Sequence, residues 1–76
     1  MKRTPFHKCL LTLMISHDFS GGLKALAEAT GMNYRTMKNR AARPREIREY
    51  ELIAIEDELS LPDEEITLLR KAIREG

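Results

Sequence analysis

The sequence predicts an all-α fold, a compact bundle of about five short helices in one domain spanning residues 1–76. Apolar residues recur at spacings of three and four, no stretch alternates apolar with polar as a half-buried strand would, and Gly, Pro, Ser and Asn fall between the periodic segments. A chain of 76 residues is the size of one small domain. It buries only about 60% of the surface its unfolded form exposes, which short helices can achieve with few loops.

Pro5 suits a first helical position, and Phe6, Cys9, Leu10, Leu13, Met14 and His17 mark an apolar stripe, so the first helix is expected from about 5 to 17. Leu11 and Ile15 form a second stripe beside it. Ser20 is read as the N-cap of the second helix, whose inward side would carry Leu23, Leu26, Ala27 and Thr30 before Gly31 ends it. Asn33 then caps a third helix from about 34 to 42, and Arg43-Pro44-Arg45 closes it, because the residue before proline is pushed out of helical geometry. The fourth helix is expected from about 46 to 59, with Ile47, Tyr50, Leu52, Ile53, Ile55 and Leu59 as its apolar residues and Glu56-Asp57-Glu58 turned away. Ser60 is read as the cap of a fifth helix, with Pro62 in its first turn and Ile66, Leu69 and Ile73 facing inward beside Leu68 and Ala72. Acids near the start of that helix and Lys71 and Arg74 near its end complement the helix dipole.

Composition narrows the chemistry. The single cysteine, Cys9, has no disulfide partner and is expected in the core, while His7 and His17 stand ten residues apart with nothing to complete a metal or catalytic set. No nucleophile, base and orienting group can be assembled, so no catalysis, no cofactor and no metal are expected. The longest apolar run is interrupted by Thr12 and Ser16, which argues against a signal peptide or a membrane span and for a cytoplasmic protein. The net charge of +1 hides an asymmetry: residues 1–48 hold ten Lys and Arg against three acids, a net +7, and residues 49–76 hold three against nine, a net −6. A basic half of this kind draws polyanions.

The stretch LKALAEATGMNYRTMKNRAARPR concentrates that chemistry. Two helices meet at a tight turn, Ala27 is small where they must cross, Gly31 permits the turn, Met32 and Met37 can plug the junction, and the second helix is polar and basic. These are the requirements of a helix-turn-helix reader of the major groove, whose second helix must expose most of itself. Arg35 and Asn39, four apart on one face, are side-chain types suited to guanine and adenine edges.

With LAEATGMN followed by Met37 at the buried position of the second helix, the chain resembles the lambda-repressor-like, Cro-type helix-turn-helix regulators, and GMNYRTMKNR is similar to small regulatory proteins of temperate phages. The resemblance spans Leu23 to Ile73. It implies a sequence-specific transcriptional regulator of double-stranded DNA, a Cro-like repressor of a phage or prophage. Carried over position by position, the base-reading sites fall on Tyr34, Arg35 and Asn39, and Asn33 and Lys38 fall at sites that meet phosphate or a flanking base. Arg40 departs from the pattern, standing where the family often has an aliphatic residue; Ala41 would take over the packing and Arg40 would turn toward the nucleic-acid backbone. Arg43 and Arg45 are further candidates for phosphate. The resemblance also implies a homodimer, at least on DNA, with Leu68 and Ala72 or Leu11 and Ile15 as candidate interface residues. A different reading of the same fold is a protein-interaction module, an antitoxin or an antagonist of another regulator, acting through the acidic fourth and fifth helices.

Overall fold

The computed structural model describes residues 3–75. These contain five α-helices and no strand: α1 (Pro5–Ser16), α2 (Gly22–Thr30), α3 (Tyr34–Ala42), α4 (Glu49–Leu59) and α5 (Asp63–Arg74). The expected all-α bundle is what the chain forms. The longest interface is between α1 and α5, and α2 packs on both α3 and α4.

Local chemistry starts and stops each helix. The Thr4 hydroxyl accepts the His7 N–H at 3.1 Å, capping α1 ahead of Pro5. It also donates to the Ala41 carbonyl at 2.7 Å, fastening the start of α1 to the end of α3. The N-cap of α2 is Gly21 rather than Ser20. Gly21 has φ +100°, and a Cβ there would lie 2.5 Å from the Cβ of Ala25, so the chain enters α2 through a position only glycine fits comfortably. At the other end Gly31 adopts φ +76°, and the Met32 N–H reaches back to the Ala27 carbonyl at 2.9 Å, the bond that closes a Schellman turn.

Asn33 caps α3 as expected, its side-chain oxygen accepting the Arg35 N–H at 2.8 Å. Arg43, out of helical geometry before Pro44, ends the helix. The expected start of α4 at about 46 is not observed: Pro44–Glu46 form a separate 3-10 turn and α4 begins at Glu49. The reason is Ile47, which stands in extended geometry and breaks the path between them. Ser60 caps the end of α4, with φ +52°, instead of the start of α5, where Pro62 takes the N-cap position. The acidic first turn and basic last turn of α5 lie as the sequence predicts.

The centre of the core is Phe6, Leu10, Met14, Leu26, Met37, Ile55 and Leu69, all fully buried. Cys9 lies at its margin, partly buried and packed against it, and burial pushes its thiol pKa up, with Glu65 and Glu75 adding to the effect. In α4 the expectation holds for Leu52, Ile55 and Leu59 but not for Tyr50 and Ile53, which are exposed. Glu56 does the opposite: expected outward, it is buried, because Arg70 of α5 reaches it at 2.9 Å and supplies the countercharge that burial demands. Ala72, a candidate interface residue, is itself part of the core, and Leu11 packs against that core, so both offer less surface to a partner than Ile15 and Leu68 do. Ile15 and Leu68 remain on the surface, 77% and 56% exposed.

Candidate nucleic-acid interface

Met37 and Ala41 are the buried residues of α3. With Ala27 and Leu26 of α2 also buried, the two helices meet through small and flexible apolar side chains across the Gly31 turn. This fixes which side of α3 faces outward. Asn33, Tyr34, Arg35, Lys38, Asn39, Ala42 and Arg43 are all exposed, and the face they form contains no acidic residue.

Arg35 and Asn39 both project from this face one turn apart, as their spacing predicts. Tyr34 is 42% exposed, and the Lys38 ammonium sits over its ring at 4.7 Å from the centroid, a cation–π arrangement that keeps both side chains on one flank of the helix. That flank borders a groove of about 490 Å³ lined by Arg3, Thr4, His7, Leu23, Tyr34, Lys38 and Ala42. His7 has a lowered pKa, through partial burial and the nearby Arg3 charge, so its imidazole favours the neutral form beside the basic flank. Asn33 keeps its amide N–H groups for an outside partner while its oxygen serves the cap.

The arginines beyond the helix divide. Arg43 is open, its side chain 72% exposed, with only a loose 3.9 Å approach to Glu46. Arg45 spends one N–H on the Arg74 carbonyl at 3.0 Å and leaves the others exposed. Arg40 departs from expectation. It turns toward α4, where its Nε donates to Glu51 at 2.9 Å, the two side chains being only 16% and 4% exposed. The cause is electrostatic: a largely buried guanidinium needs a countercharge, and the buried Glu51 carboxylate supplies it.

Glu51 is the residue that sequence reasoning missed, together with the Arg70 bridge to Glu49 and Glu56. The available signal for Glu51 was the misfit of Arg40 itself, since a charge at a packing position demands an opposite charge nearby. On the acidic side, Arg70 donates to Glu49 at 2.9 and 3.1 Å and to Glu56 at 2.9 and 3.2 Å. The two carboxylates and their hydrogen bonds hold its guanidinium pKa above the ordinary arginine value. Part of the formal negative charge of residues 49–76 is thus consumed within the bundle.

Among the described residues no group of three or more His, Cys, Asp or Glu is placed to hold a metal ion, and no helix is long and apolar enough to cross a membrane. The geometry defines a class: a five-helix bundle with a helix-turn-helix-like pair that offers a polar, basic α3 to the outside. No family model, curated protein or solved structure matches the chain.

Proposed function

We propose that this chain is a sequence-specific, double-stranded-DNA-binding regulator of transcription, a cytoplasmic Cro-like repressor of phage type that acts without catalysis. The observation that carries the reading is the outer face of α3, where Arg35 and Asn39 stand exposed on one side, free of acids, while Met37 and Ala41 anchor the other side in the core. Arg matches the two acceptors of a guanine edge and Asn the donor and acceptor of an adenine edge. Tyr34 supplies a third base contact; Asn33, Lys38, Arg43 and Arg45 hold phosphates. Arg40 is left out of that set because Glu51 already neutralises it.

The test begins with selection of preferred sites from a random duplex pool. Arg35→Ala and Asn39→Ala should each cost about 1–3 kcal/mol on the selected site and leave binding to unrelated duplex nearly unchanged, since base contacts specify and phosphate contacts position. Two variants that bound the selected site as tightly as wild type would refute this assignment of α3.

A protein-interaction role has one observation in its favour, the exposed Tyr50 and Ile53 three residues apart on α4. Against it, two of the acids of α4, Glu49 and Glu56, are engaged by Arg70. Neutralising Lys38 and Arg43 separates the two readings: it abolishes duplex binding in the first and spares partner binding in the second.

A further inference from the structure

We infer that Glu51 is a positioning residue for α3: it fixes the helix's rotation and withholds Arg40 from phosphate, setting sequence discrimination without touching the nucleic acid. This rests on the reading of α3 as the duplex-binding element.

One oxygen does two jobs. Glu51 Oε1 accepts the Arg48 backbone N–H at 2.8 Å, which caps the start of α4, and the Arg40 Nε–H at 2.9 Å, which ties in the end of α3. The first turn of α4 and the last turn of α3 are therefore locked to a single buried carboxylate. Burial alone would raise the Glu51 pKa, but the hydrogen bonds from Arg40 and Arg48 and the charges of the two arginines outweigh it and hold the group ionised. A second carboxylate, Glu46, lies 4.0 Å from Arg40.

The consequence for orientation follows from helix geometry. At about 100° per residue, Arg40 lies roughly 140° around the axis from Arg35 and roughly 160° from Lys38. Holding Arg40 against α4 therefore turns Arg35 and Lys38 outward. The consequence for charge is equally direct: a released Arg40 would be one more long cation at the end of α3, able to reach phosphate on any sequence and so to strengthen binding without selectivity.

The experiment measures duplex binding against salt for wild type, Glu51→Gln, the charge-neutral double variant Arg40→Met/Glu51→Gln, and Glu58→Gln, which removes one exposed acid of α4 and controls for net charge. Each protein is first checked for retained helicity. Glu51→Gln keeps an oxygen for the α4 cap but frees Arg40. It should steepen the log-log salt slope by about one unit beyond the Glu58→Gln control and strengthen nonspecific binding about tenfold near 0.1 M salt. The ratio of specific to nonspecific affinity should fall. The double variant should return the slope to the wild-type value, an outcome that loss of packing alone would not produce. A double variant whose slope is shallower than wild type by about one unit shows that Arg40 already holds a phosphate, and overturns the proposal even if Glu51→Gln fails to fold. A Glu51→Gln protein that folds but matches the Glu58→Gln control overturns it too. Wild type that binds no duplex overturns the reading of α3 as a whole, a result distinct from both.

Discussion

The two glycines that bracket α2 allow the turn geometry to be tested with numbers. Gly31→Ala meets no steric obstacle, because an added Cβ has no heavy atom within 4 Å, so its cost is the left-handed backbone at φ +76°. That strain is about 1–2 kcal/mol, offset by about 0.4–1 kcal/mol from a stiffer unfolded chain, leaving a loss of at most about 1.5 kcal/mol. Gly21→Ala carries the same kind of strain at φ +100° and a Cβ placed 2.5 Å from that of Ala25. Carbon atoms prefer about 3.5–4.0 Å, and Ala25 sits on the next turn with no rotatable side chain to yield, so the backbone must move. Overpacking of this kind adds about 1–3 kcal/mol, for a total of about 2–4 kcal/mol. A chain of 76 residues has on the order of 4–11 kcal/mol of stability in all. Thermal melting followed by circular dichroism should therefore fall by no more than about 10 °C for Gly31→Ala and by about 10–30 °C for Gly21→Ala. Gly31→Val, with a branched Cβ in a left-handed position, should lose more than Gly31→Ala. A Gly21→Ala protein that melts no lower than Gly31→Ala would refute the assignment of Gly21 as the entry to α2.

Two further outcomes are expected. Glu49, through its hydrogen bonds with Arg70, and Glu51, through those from Arg40 and Arg48, titrate below the ordinary glutamate range in the folded chain, so their contribution to stability is complete above the unfolded value of about 4.3 and is lost as pH falls through the folded value. Urea midpoints should therefore drop below about pH 4.3, less steeply for Glu51→Gln; a Glu51→Gln profile parallel to wild type would contradict this. For association, sedimentation on the selected duplex should show two copies, and Leu68→Glu should reduce this to one if α5 forms the contact. Persistence of the pair in Leu68→Glu with dissociation in Ile15→Glu would move the contact to α1, and a single copy on the wild-type site would remove the dimer.

The helices and most of the core were legible because helical periodicity reports burial directly: Leu10, Leu26, Met37, Ile55 and Leu69 all occur at spacings that leave one side apolar. Caps were less legible. Ser20 and Ser60 are good capping types, yet α2 is entered through Gly21 and Ser60 closes α4, because left-handed geometry at the preceding turn took precedence over side-chain propensity. Tyr34, Arg35, Lys38 and Asn39 were legible as an outward set once Met37 was placed inside. Arg40, Glu51 and Glu56 were not, since a charged side chain reads as exposed until its partner is known, and the partners lie 11 and 14 residues away on other helices.

That failure bears on function, because counting charge along a sequence overstates what a polyanion can meet. Of the basic residues near α3, Arg40 is neutralised and Arg45 is partly engaged, whereas Lys38 and Arg43 stay available at its outer edge beside Arg35. Each phosphate contact contributes about 0.9 to the salt slope, so one copy with these few cations has a modest electrostatic grip. On the proposed reading selectivity would then come from the geometry of Arg35 and Asn39, which is set by what holds the opposite side of α3: Met37 and Ala41 in the core, Thr4 at the Ala41 carbonyl and Glu51 at Arg40. The residues that turn α3 are therefore expected to govern discrimination as strongly as those that face the duplex.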